Sequence, residues 1–383
     1  MKILMVSSFY PPYHVGGACM HVYYLANALA EKGHEVHVLY SQDAYFLKRK
    51  KKPNGKYPNH KNVILHALKT PIGKFSPLFT YITGKTLFNS QIRKVFDEKY
   101  DIIHYHNVSL FGPDIFSYGN AKKVYTAHDH WLVCPLNDML ENGHVCEKPG
   151  KLKCQKCLTR HKRPFQLWRF KKRDMLKEID VIISPSEYLK GFLLKHKQKG
   201  NIVVLPNFVP DVPNIPKSIT KDYFFFAGML EDSKGIRELV EIFKGRKDQL
   251  VIAGCGSLNK FVSNLNLPNI KYVGWINGKE LFTYFKNAKA FILPSKCNEN
   301  SPLTIMESFS VGTPAIGSKK GGIPEIINRL DKNLCFSHWD ELEEMLNNFD
   351  KTKYSKELIL KIYQDNFSTH KYLENYEKLI SEL

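Results

Sequence analysis

Short apolar, β-rich runs alternate with amphipathic stretches along the 383-residue chain, and the series starts twice. The first series opens with KILMVSSFY, ACMHVYYLANALAEKG and HEVHVLYS. It continues through YDIIHYHN, KKVYTAHD, DVIISPS and NIVVLPN, with residues 86–98 reading as an intervening helix. Strands this apolar are buried on both faces, as in a parallel sheet covered by helices. Near Pro206 the texture breaks: PNFVPDVPNIPKSITKD holds four prolines and no helical period, a linker signature. The alternation then restarts with YFFFAG, KGIRELVEIFKG, QLVIAGCG, NIKYVGW, NGKELFTYFKNA, KAFILPS, PLTIMESFSVG and TPAIGS. A helical tail from about Lys353 carries Tyr363, Phe367, Tyr372 and Tyr376. The pattern predicts two α/β units of similar size, each with a crevice at the carboxyl ends of its strands.

No apolar run approaches the roughly 20 residues that span a bilayer. The opening MKILMVSSFYPP lacks a small-residue cleavage site and reads as a first buried strand, so a cytoplasmic protein is expected. A formal charge of +19 points to an anionic partner: nucleic acid, anionic lipid or a phosphorylated substrate. The cations concentrate at Lys48–Lys52 and in RHKRPFQLWRFKKRDMLK (Arg160–Lys177). The second cluster interleaves Phe165, Leu167, Trp168 and Phe170, which suits an interfacial helix or an amphipathic helix packed on the core.

Local motifs sit at strand ends. KAFILPS reads as a strand, KCNEN as a loop, Ser301 as an N-cap, Pro302 as the first helical residue, and Leu303–Val311 as a helix stopped by Gly312. The free N–H groups of Leu303 and Thr304 make a seat for phosphate. Glu299 precedes that seat and Glu307 lies one turn into the helix, where carboxylates can accept from vicinal hydroxyls. Spacing alone leaves two solvent-facing glutamates as the simpler reading. FAGMLEDSKGIRELV adds Lys234 ahead of a helix, placed to meet diphosphate oxygens. YPPYHVGGACMHV sets Gly16 and Gly17 between the first strand and first helix, where the backbone can approach a ligand closely. His34, His104 and His106 read as structural.

Four of the eight cysteines form C-x11-C-x7-C-x2-C: Cys134, Cys146, Cys154 and Cys157. This loop, 134–157, can close a structural four-thiolate zinc site or hold an iron–sulfur cluster, with His144 or His161 as substitute ligands. Reduced thiols or two disulfides are the alternatives. Gly143, Pro149 and Gly150 supply turns. Trp131 is a sugar-stacking or a core residue.

In this order the residues resemble glycosyltransferase family 4, retaining enzymes with a GT-B fold. The most specific element is E-x7-E, here ENSPLTIME, followed by VGTPAIGS and GGIPEII. The resemblance implies two Rossmann-like domains facing across a cleft: residues 1–206 with 366–383, the C-terminal helix crossing back, and residues 207–365, which bind the donor. It implies that Glu307 binds the nucleotide ribose, that Glu299 lies against the donor sugar, and that Lys234 neutralises the leaving diphosphate. Asn300, Ser301, Leu303 and Thr304 complete the donor loop. Gly16 and Gly17 lie beside the phosphates, and His128 in TAHDHW beside the transferred sugar. Met229 replaces the family's arginine, removing one cation; either Arg237 or another basic residue substitutes for it or activity is weak, and ENSP replaces the usual EGFG/P.

The expected reaction moves a sugar from a nucleotide diphosphate-sugar to a glycan or lipid-linked acceptor in polysaccharide or glycoconjugate synthesis. No Asp-x-Asp suggests a catalytic metal, and none is expected. Basic patches would hold the enzyme at the inner face of the cell membrane. The competing readings are a nucleotide-sugar epimerase or hydrolase, and a basic nucleic-acid-binding protein with a four-cysteine metal site. Nucleic acid is not an expected partner, because that reading leaves Glu299, Glu307 and Lys234 unexplained.

Overall fold

The computed structural model describes all residues except 142–143, 171–174, 213–214 and 216–221. The chain divides into two units: Met1–Glu141, Cys146–Leu205 and Leu373–Leu383, and Asn142–Val145 with Pro206–Tyr372. Much of the linker segment after Pro206 lies outside the described residues.

The first unit is built on seven strands. Their order across the sheet is Val63–Leu68, Glu35–Ser41, Lys2–Val6, Ile102–Tyr105, Lys122–Thr126, Val181–Ser184 and Ile202–Val204. Every pairing is parallel. The central strand buries Ile3, Leu4, Met5 and Val6 completely, as the unbroken apolar run requires. Chain order reverses beside it, so the crevice of this unit opens at the carboxyl ends of Lys2–Val6 and Ile102–Tyr105. The edge strand Val63–Leu68 has no clear sequence signature. It leaves Ile64 and Leu65 exposed, and a half-covered edge has neither a continuous apolar run nor a clean alternation.

The second unit repeats the plan with six strands: Ile270–Gly274, Gln249–Cys255, Tyr223–Met229, Ala288–Leu293, Ala315–Ser318 and Cys335–Phe336, again all parallel. Phe224, Phe225 and Phe226 are fully buried; Phe224 packs against Phe243, and Phe225 against Phe285 and Phe291. Helix Lys356–Phe367 belongs here: Tyr363 donates to the Val209 carbonyl at 2.9 Å, and Val209 N–H donates to Phe367 O at 3.1 Å. The segment that returns to the first unit therefore starts at Leu373, within helix Thr369–Ser381, rather than at 366. There Tyr376 is buried and hydrogen-bonds His104 at 2.9 Å.

The basic stretch 160–177 does not form one amphipathic helix among its described residues. Arg160 ends helix Lys151–Arg160, Pro164 interrupts the stretch, and beyond it only the single turn Leu167–Phe170 is helical among the described residues. Trp168 turns inward and donates to Tyr81 O at 3.1 Å, while Phe165, Leu167 and Phe170 stay exposed. Lys171, Lys172 and Arg173 lie outside the described residues. Trp131 is a core residue, packed on Phe116, Trp168 and the Arg169 guanidinium. No helix among the described residues is long and apolar enough to cross a membrane.

Candidate active site

In the second unit three loops at strand carboxyl ends converge. The first follows Tyr223–Met229 and carries Lys234 at the end of the turn Asp232–Lys234. The second follows Ala288–Leu293 and carries Ser295, Cys297 and Glu299. Ser233 O accepts from Lys296 N–H at 2.8 Å and from Cys297 N–H at 3.2 Å, which locks these loops together. The third follows Ala315–Ser318; Gly322 N–H donates to Glu299 O at 2.7 Å. Two glycines permit this closeness. A Cβ on Gly235 would strike Pro294 O and one on Gly321 would strike Glu299 O, and both residues have positive φ, 72° and 61°.

The Lys234 ammonium contacts Glu299 Oε1 directly and lies 3.9 Å from Cys297 Sγ. Ser295 Oγ donates to the same carboxylate oxygen at 2.7 Å. Burial opposes both charges, but their mutual attraction outweighs it: Lys234 is held above the ordinary lysine range and Glu299 below the ordinary carboxylate range. The pair is thus ionised and largely desolvated, which strengthens its electrostatic action on anything that binds beside it.

Helix Leu303–Ser310 follows Glu299 directly. Its N-cap is Pro302, not Ser301, and no side chain caps it. Ser301 is taken by Asn207: its Oγ accepts from Asn207 N–H at 3.3 Å and its carbonyl from Asn207 Nδ2 at 2.9 Å. The first-turn N–H groups of Leu303 and Thr304 therefore keep their donors for a ligand. Asn300 sits half-buried in the loop before them. Glu307, one turn in, is buried, and its carboxylate makes no ion pair or hydrogen bond among the described residues. Burial pushes its pKa up to about 7. Arg237, expected as one possible replacement for the arginine missing at Met229, donates to Asp232 at 2.7 Å and covers Phe261. Among the described residues it does not touch Lys234 or Glu299.

In the first unit Gly16 is the N-cap of helix Gly17–Glu31, with no side-chain cap. That helix carries His21, whose ring lies 5.1 Å from His128. His128, just past the strand Lys122–Thr126, hydrogen-bonds His106 Nδ1 through Nε2 at 3.0 Å. Burial lowers the His128 pKa to about 4 and holds His106 well below the ordinary range, so both rings are neutral near pH 7. His104, its ring centroid 4.0 Å from that of His106, is hydrogen-bonded to Thr126 and Tyr376. Sequence reading missed the His106 contact. The H-x-H spacing in DIIHYHN was the available signal, since alternate strand residues share a face and His106 follows the strand's last residue. Ser295, Cys297 and Asn207 were missed as well; the partners of Cys297 and Asn207 are distant in sequence, whereas Ser295 meets Glu299 four positions on.

Comparison with known proteins agrees with this architecture. The model of Glycosyltransferase Family 4 matches residues 15–211, and that of Glycosyl transferases group 1 matches residues 211–363. The chain is similar to an uncharacterized 42.6 kDa protein in the cps region of Klebsiella pneumoniae, with 25% identity over 98% of this chain and 100% of that protein. It is 24% identical to an uncharacterized glycosyltransferase of Methanocaldococcus jannaschii, over 93% of this chain and 94% of that one. Among solved structures it resembles sucrose-phosphate synthase from Thermosynechococcus elongatus (TM-score 0.74, 18% identity, 100% and 98% coverage). It also resembles HepE of Anabaena in complex with UDP-glucose (TM-score 0.69, 15% identity, 100% of both chains). The fold is GT-B, and the chain belongs to glycosyltransferase family 4.

Proposed function

We propose that this glycosyltransferase moves a sugar from a nucleoside diphosphate-sugar to a glycan or lipid-linked acceptor in polysaccharide or glycoconjugate synthesis, with retention of anomeric configuration. The observation that carries the reading is the half-buried Lys234–Glu299 pair beside an uncapped helix start. Breaking a sugar–phosphate bond leaves negative charge on the diphosphate. Lys234 and the N–H groups of Leu303 and Thr304 stabilise that charge as it grows. Glu307 accepts from the ribose hydroxyls, and Glu299 from the sugar. Asn300 and Ser301 contribute loop backbone. Gly16 and Gly17 bring main-chain N–H groups to the phosphate side. His128, neutral and oriented by His106, hydrogen-bonds the transferred sugar rather than acting as a strong acid. Enzymes of this fold typically need no catalytic metal, and the charge stabilisation here rests on Lys234 and backbone donors. The cps-region relative and the UDP-glucose complex of a structural neighbour fit a nucleotide-sugar donor and a polysaccharide product.

The acceptor would be met at a membrane surface. Ile72, Phe75 and Phe79 are exposed on and beside helix Phe75–Thr83, and Phe165, Leu167 and Phe170 are exposed near the turn tied to it by the Trp168–Tyr81 bond. Lys74, Lys162 and Arg163 accompany them. Exposed aromatics among cations suit the headgroup layer of an anionic bilayer. The direct test of function is a thermal-shift and product assay against UDP-, GDP- and ADP-sugars. One donor should raise the melting temperature and yield glycosylated acceptor; a full panel without stabilisation or turnover would overturn the reading.

A further inference from the structure

The geometry points to a structural zinc ion held by Cys134, Cys146, Cys154 and Cys157, independent of sugar transfer. The four are spread over 24 positions of sequence, yet all line one pocket, shared with Pro135, Leu136, Met139 and Pro149. Cys154 and Cys157 stand three residues apart on helix Lys151–Arg160, so they share a face. Cys134 comes from the turn after Trp131, and Cys146 follows a two-residue strand, its N–H donating to Met139 O at 2.6 Å. All four are free thiols. No three of their sulfurs lie within 4.8 Å of one another, so binding must draw them inward to Zn–S distances of about 2.3 Å.

The surroundings suit a dianionic tetrathiolate. Lys153 lines the pocket, bridged to Glu141 at 2.7 Å, with Arg160 on the same carboxylate. Arg169 is the sharper observation. Its guanidinium donates to Trp131 O at 2.6 Å and stacks on Trp168, with no salt bridge among the described residues. Burial lowers its pKa; Cys134 and Cys154 oppose this more than Asp129 does. A half-buried cation without an ion-pair partner calls for a counter-charge, and metal-bound thiolates supply one. Binding converts four thiols and Zn²⁺ into Zn(S–Cys)₄²⁻ and releases four protons. Soft thiolates alone select zinc over magnesium or calcium.

The test uses the full chain, purified without chelator. Elemental analysis should find about one zinc per chain, released when an organomercurial caps the thiols and read with a chromogenic zinc indicator. Cobalt exchanged into the site should show thiolate-to-metal charge-transfer absorption. In Cys154→Ser/Cys157→Ser the zinc content should fall at least tenfold. Zinc-free protein with four titratable thiols, two disulfides, iron with inorganic sulfide, or undiminished zinc in the double variant would each overturn the assignment. Because the readout is metal content in the wild-type chain, it stands whether or not the variant folds, and whatever the donor sugar proves to be.

Discussion

At the scale of single residues, Glu307 and the Lys234–Glu299 pair make opposite demands. The Glu307 carboxyl has a folded pKa of about 7, above its ordinary value near 4.5. Between those values the native state holds more protons than the unfolded chain, so this group's contribution to stability falls as pH rises through that window. Hydroxyl donors favour the ionised form, so nucleotide affinity should rise with pH through about 7. Glu307→Gln should flatten that profile and weaken binding about tenfold; an unchanged profile by calorimetric titration would remove Glu307 from the site. Lys234→Ala leaves the half-buried Glu299 charge without its cation, at a cost of about 1–3 kcal/mol. Transfer should slow by roughly 10²–10³. Lys234→Met/Glu299→Leu should recover most of the stability and none of the rate, as chemical denaturation and kinetics would show. Sequence alone could propose Glu299 and Glu307 through E-x7-E, and Lys234 through FAGMLEDSKGIRELV. It could not show that Lys234 meets Glu299, since that contact bridges 65 positions and depends on the Ser233 carbonyl.

At the scale of elements, the legible parts were those with a strong period. The central strands of both sheets, and helices such as Gly17–Glu31, follow from unbroken apolar runs and amphipathic stripes. Illegible parts were the short, the edge-exposed and the loop-bound: strand Val63–Leu68, the two-residue strand Cys335–Phe336, and helix Lys151–Arg160 inside the cysteine loop. The Ser301 N-cap reading failed because a hydroxyl that suits a cap serves Asn207 equally well, a partner 94 positions away. The basic stretch failed as a helix at Pro164, which leaves apolar side chains outside rather than on a packed face. Those side chains give the membrane reading its test. Phe75→Asp/Leu167→Asp should reduce co-sedimentation with phosphatidylglycerol vesicles at least fivefold, and binding to vesicles should weaken with salt. Equal co-sedimentation of variant and wild type would exclude this surface.

At the scale of the whole molecule, the six strands of the second unit follow the order of the first six in the seven-stranded sheet, and each unit places its candidate residues at strand carboxyl ends. The two-unit plan was legible because the alternation restarts after a proline-rich break; the return at Leu373 was not, because helix Thr369–Ser381 spans the change of unit without any sequence break. The returning segment is integral to the first unit. Tyr376→Ala removes a buried ring and its bond to His104, and should lower stability by about 3 kcal/mol in thermal or chemical unfolding. A shift within error would mean the tail is only laid on. The most direct measurement is calorimetric titration of UDP, GDP and ADP into the wild-type chain and Glu307→Gln at pH 8. One nucleotide should bind the wild type, with about tenfold loss in the variant; absence of binding by all three, or equal affinity in both proteins, would contradict a nucleotide-sugar site built on Lys234, Glu299 and Glu307.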